Sequence, residues 1–308
     1  MKKTAFLCSG QGSQYPGMGK ELCDRFAGAR EVYECGSDIL GFDLAKTSFE
    51  GADSELASTK ISQPAIFAVS LAAYSAVKEF CEPDAFAGHS LGEYAALTAA
   101  GAFSMENGFR IIGARAEAMQ RAADENPGSM FAIVGSDEAT IRQVCEETEG
   151  YVIPVNFNSP NQTVIAGEKE AAQKAADALR AKGAKRTIQL LVSSAFHSKM
   201  MASAAEEFKQ RIAGIPMEMP KKPFYSNITG TMLASDTDLS SYLAKHLVSP
   251  VYFHQEVSAM LENDITRFVE LGPNKVLTML IKRSFKQAEA YNVENLSTLE
   301  KCKNAIAE

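Results

Sequence analysis

The sequence carries no surplus of positive charge: 31 Lys and Arg stand against 38 Asp and Glu, a formal net charge of −7. Neutralising nucleic-acid phosphates takes a concentrated basic face, and none is found, so no nucleic-acid partner is expected. Long apolar runs are missing too. The stretch from Pro64 to Val77 is interrupted by Ser70 and Ser75 and falls short of the roughly 18 to 20 apolar residues of a membrane span. The apolar run after Lys2 and Lys3 ends at Ser9-Gly10-Gln11, too short for the core of a secretory signal. No membrane association is expected, and the chain reads as cytoplasmic. The six cysteines (Cys8, Cys23, Cys35, Cys81, Cys145 and Cys302) show no C-x-x-C spacing and no metal-ligand spacing with the four histidines. They are expected to be reduced and mostly buried, with no metal and no other cofactor. The N-x-[ST] matches at Asn161, Asn227 and Asn295 mean nothing in a cytoplasmic chain. Internal repeats and low-complexity tracts are absent as well.

What is present suffices for a large core: 308 residues, 46% of them hydrophobic, read as one big domain or two smaller ones. Residues 3–8 predict a buried strand running into the glycine-rich loop "SGQGSQYPGMG". A helix is predicted from Gln63 to Phe80, with Pro64 in its first turn. Then come a short apolar run at 85–87, the pattern Gly88-His89-Ser90-Leu91-Gly92, and a helix from Leu91 to about Ala100. Strand, sharp turn and helix form the setting of a nucleophile elbow. Between Pro127 and Ser194 the order changes to strand, helix, strand, strand, helix, strand, the βαββαβ of a ferredoxin-like unit. The expected division is a catalytic α/β core at 1–126 and 195–308, with an inserted subdomain at 127–194. The segment "TRFVELGP" near residue 270 is expected to complete the main sheet.

A serine hydroxyl is a weak nucleophile near neutral pH, so Ser90 needs a base within reach and donors for the oxyanion formed on attack. Glycines on either side are expected to permit its strained turn. Among the histidines, His89 adjoins the serine and would have to fold back on it. His246 lies late in a helix, where it reads as a cation near the C-terminal carbonyls, and His254 reads as a core or surface residue. His197 follows the apolar strand "TIQLLV" and the small residues Ser193, Ser194 and Ala195. That placement suits a loop at the carboxyl end of a strand, where α/β sheets build their sites. No convincing acid lies between Ser90 and His197, and Glu270 comes after the histidine. A Ser/His pair, its second ring nitrogen held by a backbone carbonyl, is therefore expected rather than a triad.

The helix "RIIGARAEAMQRAADE" carries Arg110, Glu117, Arg121 and Asp124 on one side, with Glu117 and Arg121 spaced as an i, i+4 pair. Its opposite stripe is Ile111, Arg115, Ala118, Met119 and Ala122. Arg115 is thus expected to point inward. A guanidinium cannot shed its charge on burial, so it needs an anionic or strongly polar partner. An internal salt bridge, a snorkelling side chain or a substrate carboxylate gripped bidentately would each serve.

Taken together, "GQGSQ" at 10–14, "SQPA" at 62–65, "GHSLGEY" at 88–94, "RAEAMQ" at 115–120, "SAFHSKMM" at 194–201, "YSNITG" at 225–230 and "ELGPNKVL" at 270–277 closely resemble the bacterial malonyl-CoA:acyl carrier protein transacylases. They equally resemble the acyltransferase domains of polyketide synthases. The resemblance spans nearly the whole chain. It implies an α/β fold with an α/β-hydrolase-like core built on a parallel sheet, plus the inserted ferredoxin-like subdomain. It implies Ser90 as nucleophile, His197 as base, Arg115 on the malonyl carboxylate, and the backbone N–H groups of Gln11 and Leu91 as oxyanion hole. Gln63 would line the pocket, and Met119 and Phe196 would limit acyl size. Malonyl-CoA and acyl carrier protein would be the partners of a monomeric enzyme that feeds fatty acid biosynthesis. Two departures stand out. Tyr252 replaces the usual Gln or Arg after Pro-Val, at the residue whose backbone is implied to orient the histidine. Asn274 replaces a usual glycine and tolerates a left-handed backbone better than most residues. A serine esterase would share the elbow without needing Arg115, and a noncatalytic binding protein would not need a matched Ser90 and His197. A stand-alone polyketide acyltransferase or an acyl hydrolase would keep the chemistry. For an acidic carrier protein, the basic clusters Lys182, Lys185 and Arg186, or Lys282, Arg283 and Lys286, are candidate docking patches.

Overall fold

A computed structural model describes residues 2–307. Its strands are β1 (Lys3–Cys8), β2 (Ala85–Gly88), β3 (Gly128–Val134), β4 (Val152–Ser159), β5 (Gln162–Glu168), β6 (Arg186–Gln189), β7 (Ile265–Leu271) and β8 (Glu289–Val293). They form two four-stranded sheets. The first runs β2-β1-β7-β8 with every neighbour parallel. After Lys3, every residue of β1 and all of β2 are buried. Unbroken apolar runs of this kind are what parallel strands covered on both faces require. Cys8 lies opposite Gly88 in the register, so the loop after β1 and the turn after β2 open side by side at the carboxyl edge of the sheet. The ladder of β7 against β1 completes this sheet as its apolar sequence suggested.

Helices cover the sheet, chiefly Thr59–Val77, Gly92–Ala99 and Met105–Glu125. The first begins four residues earlier than expected, which moves Pro64 out of the first turn. Its missing N–H frees the carbonyl of Lys60, an exposed residue where water can replace the lost bond. In Met105–Glu125, Ser104 caps the N-terminus by accepting from Asn107 N, and the stripe Ile111, Arg115, Ala118, Met119 and Ala122 is buried throughout. The expected Glu117–Arg121 pair does not form. Helix Ala202–Ile212 packs alongside and takes both charges: Arg211 meets Glu117 at 2.7 Å, and Arg121 pairs with Glu207.

The second sheet has the order β4-β5-β3-β6 with all neighbours antiparallel. Helices Glu138–Glu147 and Lys169–Ala181 pack on it around a separate core that includes Ile133, Ile141, Val144, Ile165 and Leu179. The chain order is βαββαβ, so the fold is an α/β core with a parallel sheet plus a ferredoxin-like unit whose elements run from Gly128 to Gln189. The strand expected to reach Val192 stops at Gln189, because Leu191 turns out to solvent, 96% exposed, as the chain bends toward Ala195. The segment 247–252 of the larger unit meets the second sheet at Val251, which donates to Val155 O and accepts from Phe157 N, both at 2.8 Å.

Candidate active site

Ser90 follows β2 with φ at +54°, a left-handed backbone that costs a non-glycine residue about 1–3 kcal/mol. The flanking glycines permit the tight turn by close approach, since neither has positive φ. A Cβ on Gly92 would lie 2.1 Å from Cys8 O, and one on Gly88 would lie 2.1 Å from the backbone of Gly92. The helix Gly92–Ala99 can therefore start directly against β1, which lifts Ser90 to the sheet edge.

Ser90 Oγ is 2.7 Å from His197 Nε2. His197 Nδ1 faces the carbonyls of His246 at 3.2 Å and Ser249 at 3.0 Å. A carbonyl only accepts, so Nδ1 carries the proton and Nε2 offers its lone pair to the serine hydroxyl. Burial, reinforced by the positive charge of Arg115 and by His89, lowers the imidazole to about 3, and the resting ring is neutral near pH 7. The backbone expected to orient it, that of Tyr252, does not. Tyr252 lies beyond Val251, where its N–H donates to Asn227 O and its ring stacks on Phe157 at 5.0 Å, tying the two units together. The carbonyls that hold the histidine come from the end of the preceding helix and the residues just after it.

No carboxylate contacts either ring nitrogen of His197 among the described residues. Glu270 instead accepts from Leu277 N, Thr278 N and Ser9 Oγ at the start of helix Val276–Ser284, and burial pushes it up to about 7. His246 is not a solvated cation. It is fully buried, and burial, then His197 and Arg115, lower it well below the usual histidine range. His89 donates through Nε2 to Asn158 Oδ1, and His254 stacks on Phe285.

Arg115 is 1% exposed. Its Nη1 donates to Gln63 Oε1 at 2.6 Å and its Nη2 to Ser90 Oγ at 3.2 Å, and the guanidinium lies 4.9 Å from the centre of the Tyr94 ring. Nε has no partner. None of the ion pairs among the described residues includes Arg115. Glu93, the buried acid that feels its field, is pushed up to about 8 by burial, and so is mostly protonated near neutral pH. Nε and Nη2 form one edge of the guanidinium, a fork matched to a carboxylate. Gln63 joins the parts, since its Nε2 also reaches Gln11 Oε1 at 3.4 Å and Met119 Sδ at 3.6 Å. Phe196 is buried directly before His197.

The backbone N–H groups of Gln11 and Leu91 donate to no protein group among the described residues. Their loops touch: a Cβ on Gly10 would lie 2.8 Å from His89 O. A cavity of 220 Å³ reaches this junction, lined by Gln11, His89, Asn156, Asn158 and Leu280 among others. An adjoining cavity of 270 Å³ shares Gln162, Val276 and Leu280 with it and adds Lys275 and Arg283.

Several polar residues were given no role from sequence. Asn227, Glu93, Tyr242 and Glu256 form, with His246, a buried cluster behind the elbow, and Ser249 supplies one of the carbonyls. Glu93 had a readable signal, a charge within the apolar run "LGEYAALTAA", of the kind that singled out Arg115.

The sequence profile of the acyl transferase domain matches residues 5–305. The chain belongs to the acyl transferase family. Within that family it is similar to the malonyl CoA-acyl carrier protein transacylase of Bacillus subtilis (strain 168), at 36% identity over 97% of this chain and 96% of that one. It is 38% identical to the protein of the same name from Escherichia coli (strain K12), over 92% of this chain and 93% of that one. Among solved structures, a malonyl-transacylase in complex with a type II PKS acyl-carrier protein superposes with a TM-score of 0.94 at 36% identity, covering 98% of this chain and 99% of that one.

Proposed function

We propose that this chain moves a malonyl group from malonyl-CoA to the phosphopantetheine thiol of acyl carrier protein through an ester on Ser90. The observation that carries the reading is a buried guanidinium with no carboxylate partner, its Nε unpaired and its Nη2 3.2 Å from the candidate nucleophile. A dicarboxylic acyl group supplies the missing anion. In the first half-reaction His197 Nε2 takes the Ser90 proton as Oγ bonds to the thioester carbon, and the oxyanion rests on the N–H groups of Gln11 and Leu91. The carbon–sulfur bond then breaks, and the imidazolium returns its proton to the CoA thiolate. In the second half, His197 takes the proton of the carrier thiol as its sulfur bonds to the ester carbon; the bond from that carbon to Ser90 Oγ then breaks, and the imidazolium returns the proton to Oγ.

The free carboxylate of the substrate also offsets the charge that depresses His197, so binding the correct acyl group raises the basicity of the base it needs. Met119 and Phe196 bound the acyl pocket. Every step uses groups of the chain and its two substrates, and no cofactor is invoked. Carrier docking is assigned to the side of Lys275 and Arg283, because Arg283 lines the cavity adjoining the site, whereas Lys182 already faces Glu147 at 3.6 Å. We read the enzyme as a cytoplasmic monomer, in keeping with its six free cysteines and a CoA thioester as donor, that supplies fatty acid biosynthesis. Polyketide assembly would use the same chemistry, and the similarity to a transacylase solved with a type II PKS carrier keeps that reading open. The test is incubation with malonyl-CoA and phosphopantetheinylated carrier protein, following carrier mass. Malonyl-carrier formation outpacing malonate release is expected; malonate release without carrier loading would make the protein a hydrolase.

A further inference from the structure

We propose that Asn227 is a positioning residue for the reaction: its side-chain amide clamps the backbone that leads into Ser90, from the Gly88 carbonyl to the Ser90 N–H, and couples that turn to the carbonyl orienting His197. The inference rests on the serine-ester reading above and concerns how the two members of the pair are held. Asn227 Oδ1 accepts from Ser90 N at 2.7 Å, and Nδ2 donates to Gly88 O at 2.6 Å. The partners fix the amide's orientation, because a backbone N–H only donates and a carbonyl only accepts. One side chain thus spans the turn that forces Ser90 to φ +54°, a conformation that persists only where the surroundings over-determine it.

The clamp is itself held. The second hydrogen of Nδ2 goes to Glu256 Oε1 at 2.6 Å, and the backbone N–H of Asn227 donates to Glu93 Oε1 at 2.5 Å. Tyr242 Oη donates within the same cluster, lying 2.9 Å from Glu93 Oε1 and 2.7 Å from Ser226 Oγ. Asn227 and both glutamates have no solvent exposure, and burial raises both carboxyls, which favours their neutral forms. The coupling to the base is direct. His246 Nε2 donates to the same Asn227 Oδ1 at 3.2 Å, while the backbone carbonyl of His246 accepts from His197 Nδ1. The clamp also engages the N–H of Ser90, leaving that of Leu91 as the elbow's free donor for an oxyanion. No other side chain of this size offers one acceptor and two donors on a rigid plane: aspartate keeps the shape but loses the amide donors, and alanine loses both functions.

The experiment is single-turnover acylation of Ser90 by malonyl-CoA, read by intact mass over a range of donor concentrations, for the native chain, Asn227→Ala, Asn227→Asp and Ser90→Ala. Asn227→Ala should lower the maximal acylation rate about a hundredfold, the scale of loss when reacting groups are misplaced by about an ångström. The half-saturating concentration should stay within about threefold, because Arg115 and Gln63 are untouched. Asn227→Asp, isosteric and suited to the same space, should show the same kind of loss and decides the matter if the alanine variant does not fold. Native-like rates in Asn227→Asp, or a rate loss matched by an equal rise in half-saturating concentration, would overturn the proposal. Failure of the native chain to acylate would instead remove the serine-ester reading, so the two failures are distinguishable.

Discussion

Replacing Arg115 by alanine is the perturbation whose size the structure allows to be worked out. In the free protein the guanidinium makes one short bond, to Gln63 Oε1, and one longer one, to Ser90 Oγ, with Nε unpartnered. A malonyl carboxylate seated on Nε and Nη2 gains two charge-assisted bonds of about 1.5–3 kcal/mol each and displaces the bond to the Ser90 hydroxyl, whose ionised donor makes it worth about as much as one of them. The net is about 1.5–3 kcal/mol, and at about 1.4 kcal/mol per decade it corresponds to a loss of roughly 10-fold to 150-fold in kcat/KM for malonyl-CoA. A neutral acetyl group draws nothing from Arg115 and leaves its free edge unpaired, so acetylation should be unchanged or faster in the variant. Time courses of acyl-enzyme formation by intact mass, run with each thioester and with folding checked by circular dichroism, give the two rates. A malonyl-to-acetyl ratio within about threefold of the native value would refute the reasoning, since it would deny the guanidinium any preference between the two acyl groups.

The same substitution should move a pH profile. Protonated His197 cannot accept the serine proton, so acylation fails as pH falls through its pKa. Burial and Arg115 together hold that pKa at about 3, and removing the cation raises it, so the acid limb of acetylation in Arg115→Ala should lie at higher pH than in the native chain; an unmoved limb would contradict the assignment of His197 as base. Stability should also depend on pH in a definite sense. Buried Glu93 is held near 8 and Glu270 near 7, above their ordinary 4.5, so the folded state keeps protons that the unfolded state has released. The buried histidines are lowered and oppose this slope only while the unfolded chain's histidines still hold protons, an effect that fades over about one pH unit above their ordinary 6.5. The melting temperature should therefore fall most clearly between about pH 7 and 8, and Glu93→Gln should flatten that fall. Gly92→Ala places a methyl 2.1 Å from Cys8 O, and denaturant unfolding should register a loss of about 1–3 kcal/mol or more.

The parts of the site that could be read beforehand were those where residue type itself is constrained. Buried parallel strands appear as short apolar runs, which is why β1 begins and ends as its sequence suggested. Arg115 stood out as a charge on an apolar stripe, and Ser90 as a serine within a turn whose neighbours must lack side chains. The glycines, however, answer to backbone contact rather than to φ, which only the packing of Gly92 on Cys8 reveals. The histidine's carbonyl partners were misassigned to Tyr252 because any residue type supplies a carbonyl; only the approach of residues 246–249 decides which ones arrive. Asn227 lies in the segment 213–238, which holds no helix or strand, and its hold on Gly88 and Ser90 arises from tertiary contacts across more than a hundred residues. Likewise His246, at a helix end, looked like a surface cation until burial beside Tyr94 and Asn227 was seen.

The central claim is tested most directly by mixing the protein with malonyl-CoA alone, quenching in acid, and mapping any adduct by peptide mass spectrometry. The account predicts one malonyl group per chain, on Ser90, absent in Ser90→Ala and discharged on addition of phosphopantetheinylated carrier protein. A chain that stays unmodified, or that carries the malonyl group on another residue, would contradict it.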